Sequence, residues 1–203
     1  MSKHILSLIL PLCFLELTAA TINEGNLLNF LGKKDFFSGS FIQITNQNQK
    51  ERKVNGEIKI NRKGMFKVVY SDPLNEIISS NGSELFRLDE ELEQLNISPI
   101  DKIFLESPIG LFAAKQIELE NLFFVDRCYT EKKILTCTLR PKTEESFLQE
   151  LTVKFSKEVI KSISYIDSFN QIVHLNFLHS DWGRIPLEEF SFSIPEGIDV
   201  VRH

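Results

Sequence analysis

The sequence is poor in aromatic residues that carry a polar handle: its 203 residues include 1 Trp and 3 Tyr, against 17 Phe. Phenylalanine has no hydrogen-bonding group, so this bias suits a dry interior or an apolar pocket. Basic excess is also missing, since 23 Lys and Arg stand against 28 Asp and Glu for a formal net charge of -5. That balance excludes the concentrated basic surface of a nucleic-acid binder. Long apolar runs are absent too. The stretch from Ile5 to Leu17 is too short to span a bilayer comfortably and is interrupted by Pro11.

Catalytic signatures are equally scarce. There is no G-x-S-x-G, no S-x-x-K and no phosphate-binding glycine loop. His174 lies on the polar parity of "IVHLNF", so it points outward and makes no metal site with His179 by spacing. The adjacent carboxylates Glu144-Glu145 and Glu188-Glu189 would face opposite sides of a strand, which is unsuited to acid–base work. The acidic run from Asp89 to Glu93 lacks EF-hand spacing and reads as a solvated turn. Neither an enzyme, a metal nor a cofactor is expected.

What is present begins with export. Lys3 precedes the apolar run, and Thr18, Ala19 and Ala20 are small, the pattern of a secretory signal cut after Ala20. Residues 1–20 are therefore expected to be removed, leaving 21–203 as a single domain. Lys3 and Glu16 leave together, so the net charge stays the same. Cys13 follows Leu12, where lipoprotein processing wants a small side chain, so a lipidated N-terminus is not expected.

The remaining cysteines, Cys128 and Cys137, bracket "CYTEKKILTC". With Lys132 and Lys133 as a two-residue hairpin loop, residues 131 and 134 pair, and so on back to 128 with 137. By ladder alternation the cysteines form a non-hydrogen-bonded pair, close enough for a disulfide in an oxidising compartment. Their spacing is not that of a C-x-x-C redox site.

Period-two alternation dominates the rest. The strand-like stretches are 36–45, 54–61, 65–70, 74–80, 85–89, 92–97, 122–129, 134–139, 148–155, 159–166, 171–178 and 190–194, with Asn81-Gly82 as a hairpin signal. Helical patterns are confined to residues 22–31 and to the segment around Pro108, read as two short helices or one broken one. One face of a large antiparallel sheet would be apolar, with little helix to cover it. Such a sheet either closes into a barrel filled by its own side chains or stays concave and encloses a lipid-sized pocket under a small lid.

Arg62 stands out. In "VNGEIKINRKGMFKVVYSDP" the even positions Ile58, Ile60, Phe66, Val68 and Tyr70 are apolar, yet Arg62 shares their parity. With a three-residue turn, Ile60 would face Phe66 and Ile58 would face Val68, leaving the guanidinium at the rim of the apolar face.

The words "GEIKINRKGMFKVVYSDP" (56–73), "SSNGSELFRLDEELEQLNISPID" (79–101), "SPIGLFA" (107–113) and "FSFSIPEGIDVV" (190–201), in that order and spacing, resemble the periplasmic outer-membrane lipoprotein carrier family, LolA. The resemblance covers essentially the whole mature chain. It departs at Lys63, where the family often has Pro, and at Leu85, Phe86 and Leu88, where an aromatic pair is usual. It implies a mainly β fold: an unclosed antiparallel half-barrel of about eleven strands, with a lid of short α-helices around a hydrophobic cavity. It also implies a monomeric periplasmic chaperone. Its cargo would be acylated lipoproteins released from the inner membrane by an ABC exporter, delivered to an outer-membrane receptor. Phe66, Val68, Phe86, Leu111 and Phe112 are the expected cavity wall. Arg62 is expected to latch the lid by donating to main-chain carbonyls near Phe112 and Ala113. The alternatives are a periplasmic half-barrel sensor or binding protein for lipid-linked ligands, or a lipid hydrolase, for which no nucleophile is found.

Overall fold

The computed structural model describes residues 22–47, 50–100, 107–143 and 146–203. The expected signal segment 1–20 and the Glu144-Glu145 pair lie outside the described residues. Twelve strands form one sheet. In chain order they are β1 Phe36–Gln47, β2 Lys50–Asn61, β3 Met65–Tyr70, β4 Glu76–Asn81, β5 Glu84–Asp89, β6 Gln94–Pro99, β7 Phe123–Glu131, β8 Ile134–Pro141, β9 Leu148–Ser156, β10 Val159–Asp167, β11 Ile172–Asp181 and β12 Asp199–Arg202. The spatial order is β12-β6-β5-β4-β3-β2-β1-β11-β10-β9-β8-β7, so β12 and β7 are free edges and the sheet does not close. Three short α-helices are seen among the described residues: α1 Leu27–Gly32, α2 Gly110–Ala113 and α3 Gln116–Leu122.

Turn chemistry sets the hairpin registers. Gly64, at φ +86°, supplies the left-handed step between β2 and β3 that puts Asn61 opposite Met65, Ile60 opposite Phe66 and Ile58 opposite Val68. Lys132 and Lys133 both take positive φ in the β7–β8 loop, the conformation that matches strand twist in a two-residue hairpin. Glu131 then pairs with Ile134 and Cys128 with Cys137, and the two cysteines are joined as a disulfide.

The inner face carries the main core: Phe37, Phe41, Ile60 and Phe66 from the first strands, Leu151, Val153 and Phe155 from β9, and Leu111 and Leu119 from the helices. Gly56 belongs to this packing. The Phe41 ring lies over it so closely that a Cβ there would come within 2.5 Å of the ring, leaving room only for hydrogen.

Two expectations fail. Residues 190–194 form no strand: Leu187–Phe190 is a short 3-10 helix and the following residues run outside the ladder. Their alternation has another cause. The segment crosses the outer face, where Phe192 stacks on Phe86 at 5.2 Å and Ile198 joins it over Leu88, Leu95 and Ile97. Pro186 and Pro195 flank it, and proline supplies no ladder donor. The last strand is instead β12, which adds in parallel to β6 with Val200 opposite Leu95.

The second correction concerns Phe86, an expected cavity residue that turns away from the cavity. Strand β5 pairs with β4 so that Leu85 faces Ser80 and Phe86 faces Ser79. Ser80 lies opposite Phe66, so Leu85 takes the inner face and Phe86 the outer. Both faces of this end of the sheet are thus partly apolar, which a single strand's alternation does not reveal.

Candidate functional site

An apolar cavity of about 450 Å³ occupies the inner face, bounded by Phe41, Ile58, Val68 and Leu175 on the sheet and by Pro108 and Ile109 at the start of the lid. This is within the roughly 300–1,000 Å³ usual for small-molecule sites. Val68 lines it, while Phe66, Leu111 and Phe112 sit beside it in the packed core rather than on its surface. A larger recess of about 760 Å³ lies by the β2–β3 turn under residues 184–188. Asp35, Lys63, Arg184 and Glu188 give it a charged rim unsuited to hydrocarbon.

One end of the trough is closed by stacked rings. Phe112 of α2 lies parallel to Phe37 of β1 with centroids 4.8 Å apart. Trp182, just past β11, packs at 5.0 Å from Phe37 and 6.0 Å from Phe30 of α1, and its indole N–H donates to the Glu158 carbonyl at 2.8 Å. The Lys34 ammonium bonds Glu158 at 2.9 Å and lies 4.6 Å over Phe30. Lid and sheet therefore meet through aromatic contacts, each adding about 0.5–1.5 kcal/mol beyond area burial.

Arg62 is buried at this end, 6% exposed, not at an open rim. Its backbone N–H donates to the Asp35 carbonyl, and its side chain donates only to carbonyls: Nε to Lys34 at 2.9 Å, Nη2 to Leu31 at 2.7 Å, Nη1 to Ala114 at 2.6 Å and more weakly to Leu111 at 3.4 Å. The acceptors on the lid flank Phe112 and Ala113, the positions anticipated from the sequence. Leu31, Lys34 and Ala114 lie at or just past the C-terminal ends of α1 and α2, and Leu111 lies within the single turn of α2, where carbonyls lack intrahelical partners. One guanidinium fork thus ties two helix ends to a sheet turn. Burial pulls the Arg62 pKa down from 12.5 to about 10, against the pull of the nearby Asp35 carboxylate, so the group stays cationic at neutral pH.

At the other end the wall turns polar. Tyr70 donates to Gln43 Oε1 at 3.2 Å, and Gln43, Tyr70 and Tyr165 all line the cavity. Beside them the buried Glu76 pairs with Arg87. Sequence reasoning counts Tyr70 as an apolar position and overlooks Gln43 and Tyr165; their meeting at one end of the cavity from successive inner positions of separate strands follows from register, not from any local motif.

Elsewhere, His174 points away from the core and meets Ser164 on β10 at 2.8 Å. No group of metal-ligating side chains is found among the described residues.

Known proteins share this pattern. The sequence profile described as "Outer membrane lipoprotein carrier protein LolA" matches residues 33–193. An outer-membrane lipoprotein carrier protein of Nitrosomonas europaea is 25% identical over 206 residues, covering 100% of both chains. Another, from Nitrosospira multiformis, is 26% identical over 94% of this chain and 93% of its own. In structure, an uncharacterized conserved protein from Thermus thermophilus superposes with a TM-score of 0.55 at 8% identity, over 88% of this chain and 98% of its own, which speaks for the fold alone. With an open apolar sheet, a tethered lid and a profile match over most of its length, the chain belongs to the LolA family of outer-membrane lipoprotein carriers, binding proteins that act without catalysis.

Proposed function

We propose that this protein works in the periplasm after export directed by residues 1–20. It accepts acylated lipoproteins released from the inner membrane by an ABC exporter and delivers them to an outer-membrane receptor. The observation that carries this reading is the apolar cavity of about 450 Å³ beneath a lid held by one cation through main-chain carbonyls. Each methylene of an acyl chain costs about 0.8 kcal/mol in water, so the chains need shelter throughout transit. Val68 with Leu85 on the sheet, and Phe66, Leu111 and Phe112 once the lid moves, supply it.

A carrier must also let go. Admitting more hydrocarbon lifts α2 off Phe37 and separates the Leu111 and Ala114 carbonyls from Arg62. Hydrogen bonds to a charged group are each worth about 1.5–3 kcal/mol, so the loaded form is held above the empty one and discharge is downhill. In Arg62→Leu the closed form loses its fork and leaves the buried Leu111 and Ala114 carbonyls without the donor they share, whereas the open form lets water reach them. The variant should still accept lipoprotein but retain it. The check is transfer from purified loaded carrier to receptor; onward transfer at the wild-type rate rejects the latch.

A further inference from the structure

The polar end of the cavity is unexpected in a site for hydrocarbon. Along the inner face three strands run from apolar to polar: Phe37, Phe41, then Gln43 on β1; Phe66, Val68, then Tyr70 on β3; Ile163, then Tyr165 on β10. Register brings these ends together, since Gly56 of β2 lies opposite both Phe41 and Tyr70 while Val54, one inner position further, lies opposite Gln43. Tyr165 lies one inner position further, opposite Val173 of β11, which also pairs with Thr45, the next inner position after Gln43.

The donor count is lopsided. Tyr70 spends its hydrogen on Gln43 Oε1, and one Gln43 amide hydrogen goes to Thr45 Oγ1 at 3.2 Å. That leaves the second amide hydrogen and the Tyr165 hydroxyl, which has no hydrogen-bond partner among the described residues. Across the cavity, Ser107 lines the wall just before the lid, and its buried hydroxyl is likewise unpartnered among the described residues. Desolvation raises both phenols, Tyr70 to about 12 and Tyr165 further, so they remain protonated. Of these groups the Ser107 hydroxyl is buried and unpaired, while the half-buried Gln43 amide and Tyr165 hydroxyl face the same apolar cavity with hydrogens to give, so an acceptor brought in by a ligand would meet donors there.

We infer that Gln43, Tyr70, Tyr165 and Ser107 form a polar subsite that receives the acyl carbonyl, ester or amide, through which a fatty chain is joined to its lipoprotein. A hydrocarbon tail has no acceptor at all, while each linkage carries one carbonyl oxygen at the head of its chain. The subsite fixes depth: tails run along Phe41, Ile58 and Val68, and the carbonyl stops at the tyrosines. The inference rests on the carrier reading and adds to it the part of the cargo that is recognised.

The test uses the full mature protein and a pair of synthetic peptides. One has an N-terminal cysteine bearing an S-(2,3-dipalmitoyloxypropyl) group; the other has hexadecyl ethers in place of the esters, with equal tail length and no acyl carbonyl. Wild type should bind the ester about tenfold more tightly, the effect of one or two hydrogen bonds. In the triple variant Gln43→Leu, Tyr70→Phe, Tyr165→Phe, which also removes the Tyr70 hydrogen that loss of Gln43 would free, the ester-to-ether ratio should fall toward one on the same scale. Equal wild-type affinities, or a ratio that the triple variant leaves unchanged, overturn the subsite. Wild type binding neither peptide overturns the carrier reading, and the subsite with it.

Discussion

Arg62 breaks the apolar alternation of its strand because its partners lie 28 residues before it at Lys34 and 52 residues after it at Ala114. The odd parity is legible in the sequence; the partners are not, since every acceptor is a main-chain carbonyl and any residue type supplies one. Tyr70 shows the converse. Its apolar parity is legible, while its polar duty depends on Gln43 two strands away. Burial, with Glu76 nearby, pushes this phenol from 10.0 to about 12. The native state therefore holds a proton that the unfolded chain has begun to lose. The resulting stabilisation is fully present below pH 10.0 and is lost as pH rises through about 12. Phenolate absorbance followed during an alkaline titration should contain a late component near pH 12 that disappears in Tyr70→Phe. If the substitution instead removes amplitude near pH 10.0, the ring is in contact with water.

Among elements, hairpins are the most readable and crossings the least. Ile60 faces Phe66 and Cys128 faces Cys137 because turn length alone determines those pairings. Residues 190–194 imitate a strand in sequence because packing on an outer face makes the same alternation as a ladder does. Phe86 falls on the face opposite to the expected one for a related reason: its parity relative to Phe66 depends on the β4–β5 register. The parallel addition of β12 to β6 has no local signature, as its partner lies about a hundred residues earlier. The β7–β8 hairpin sits at one free edge of the sheet, so its disulfide closes a loop of sequence separation 9 where β8 is the one strand paired with β7 among the described residues. Replacing both cysteines by alanine should lower the free energy of unfolding by about 2–3 kcal/mol in a denaturant melt, from chain entropy restored to the unfolded state. A loss well under this range would mean that the turn already holds the hairpin in the unfolded chain.

At the scale of the whole molecule, cavity and cargo do not match in size. About 450 Å³ accommodates one compact ligand, whereas a lipoprotein with several fatty chains needs the space now filled by Phe37, Phe112 and Trp182. Packed interiors yield as discrete rearrangements rather than by stretching, so loading should unseat α2 as a unit. The chain's 1 Trp is at that contact, with Trp182 6.2 Å from Phe112. Its emission is therefore a built-in reporter of the lid. Titrating the diester lipopeptide into wild type should change Trp182 emission in a saturable way, and Phe112→Ala should show part of that change before any ligand is added. Should saturating lipopeptide leave the emission untouched, the cargo would be confined to the existing cavity and the lid would have no part in loading. Arg62→Leu separates these cases further: with the fork gone and the rings intact, its unliganded emission should move toward the loaded value if the guanidinium holds α2 down, and stay at the wild-type value if ring stacking alone does so.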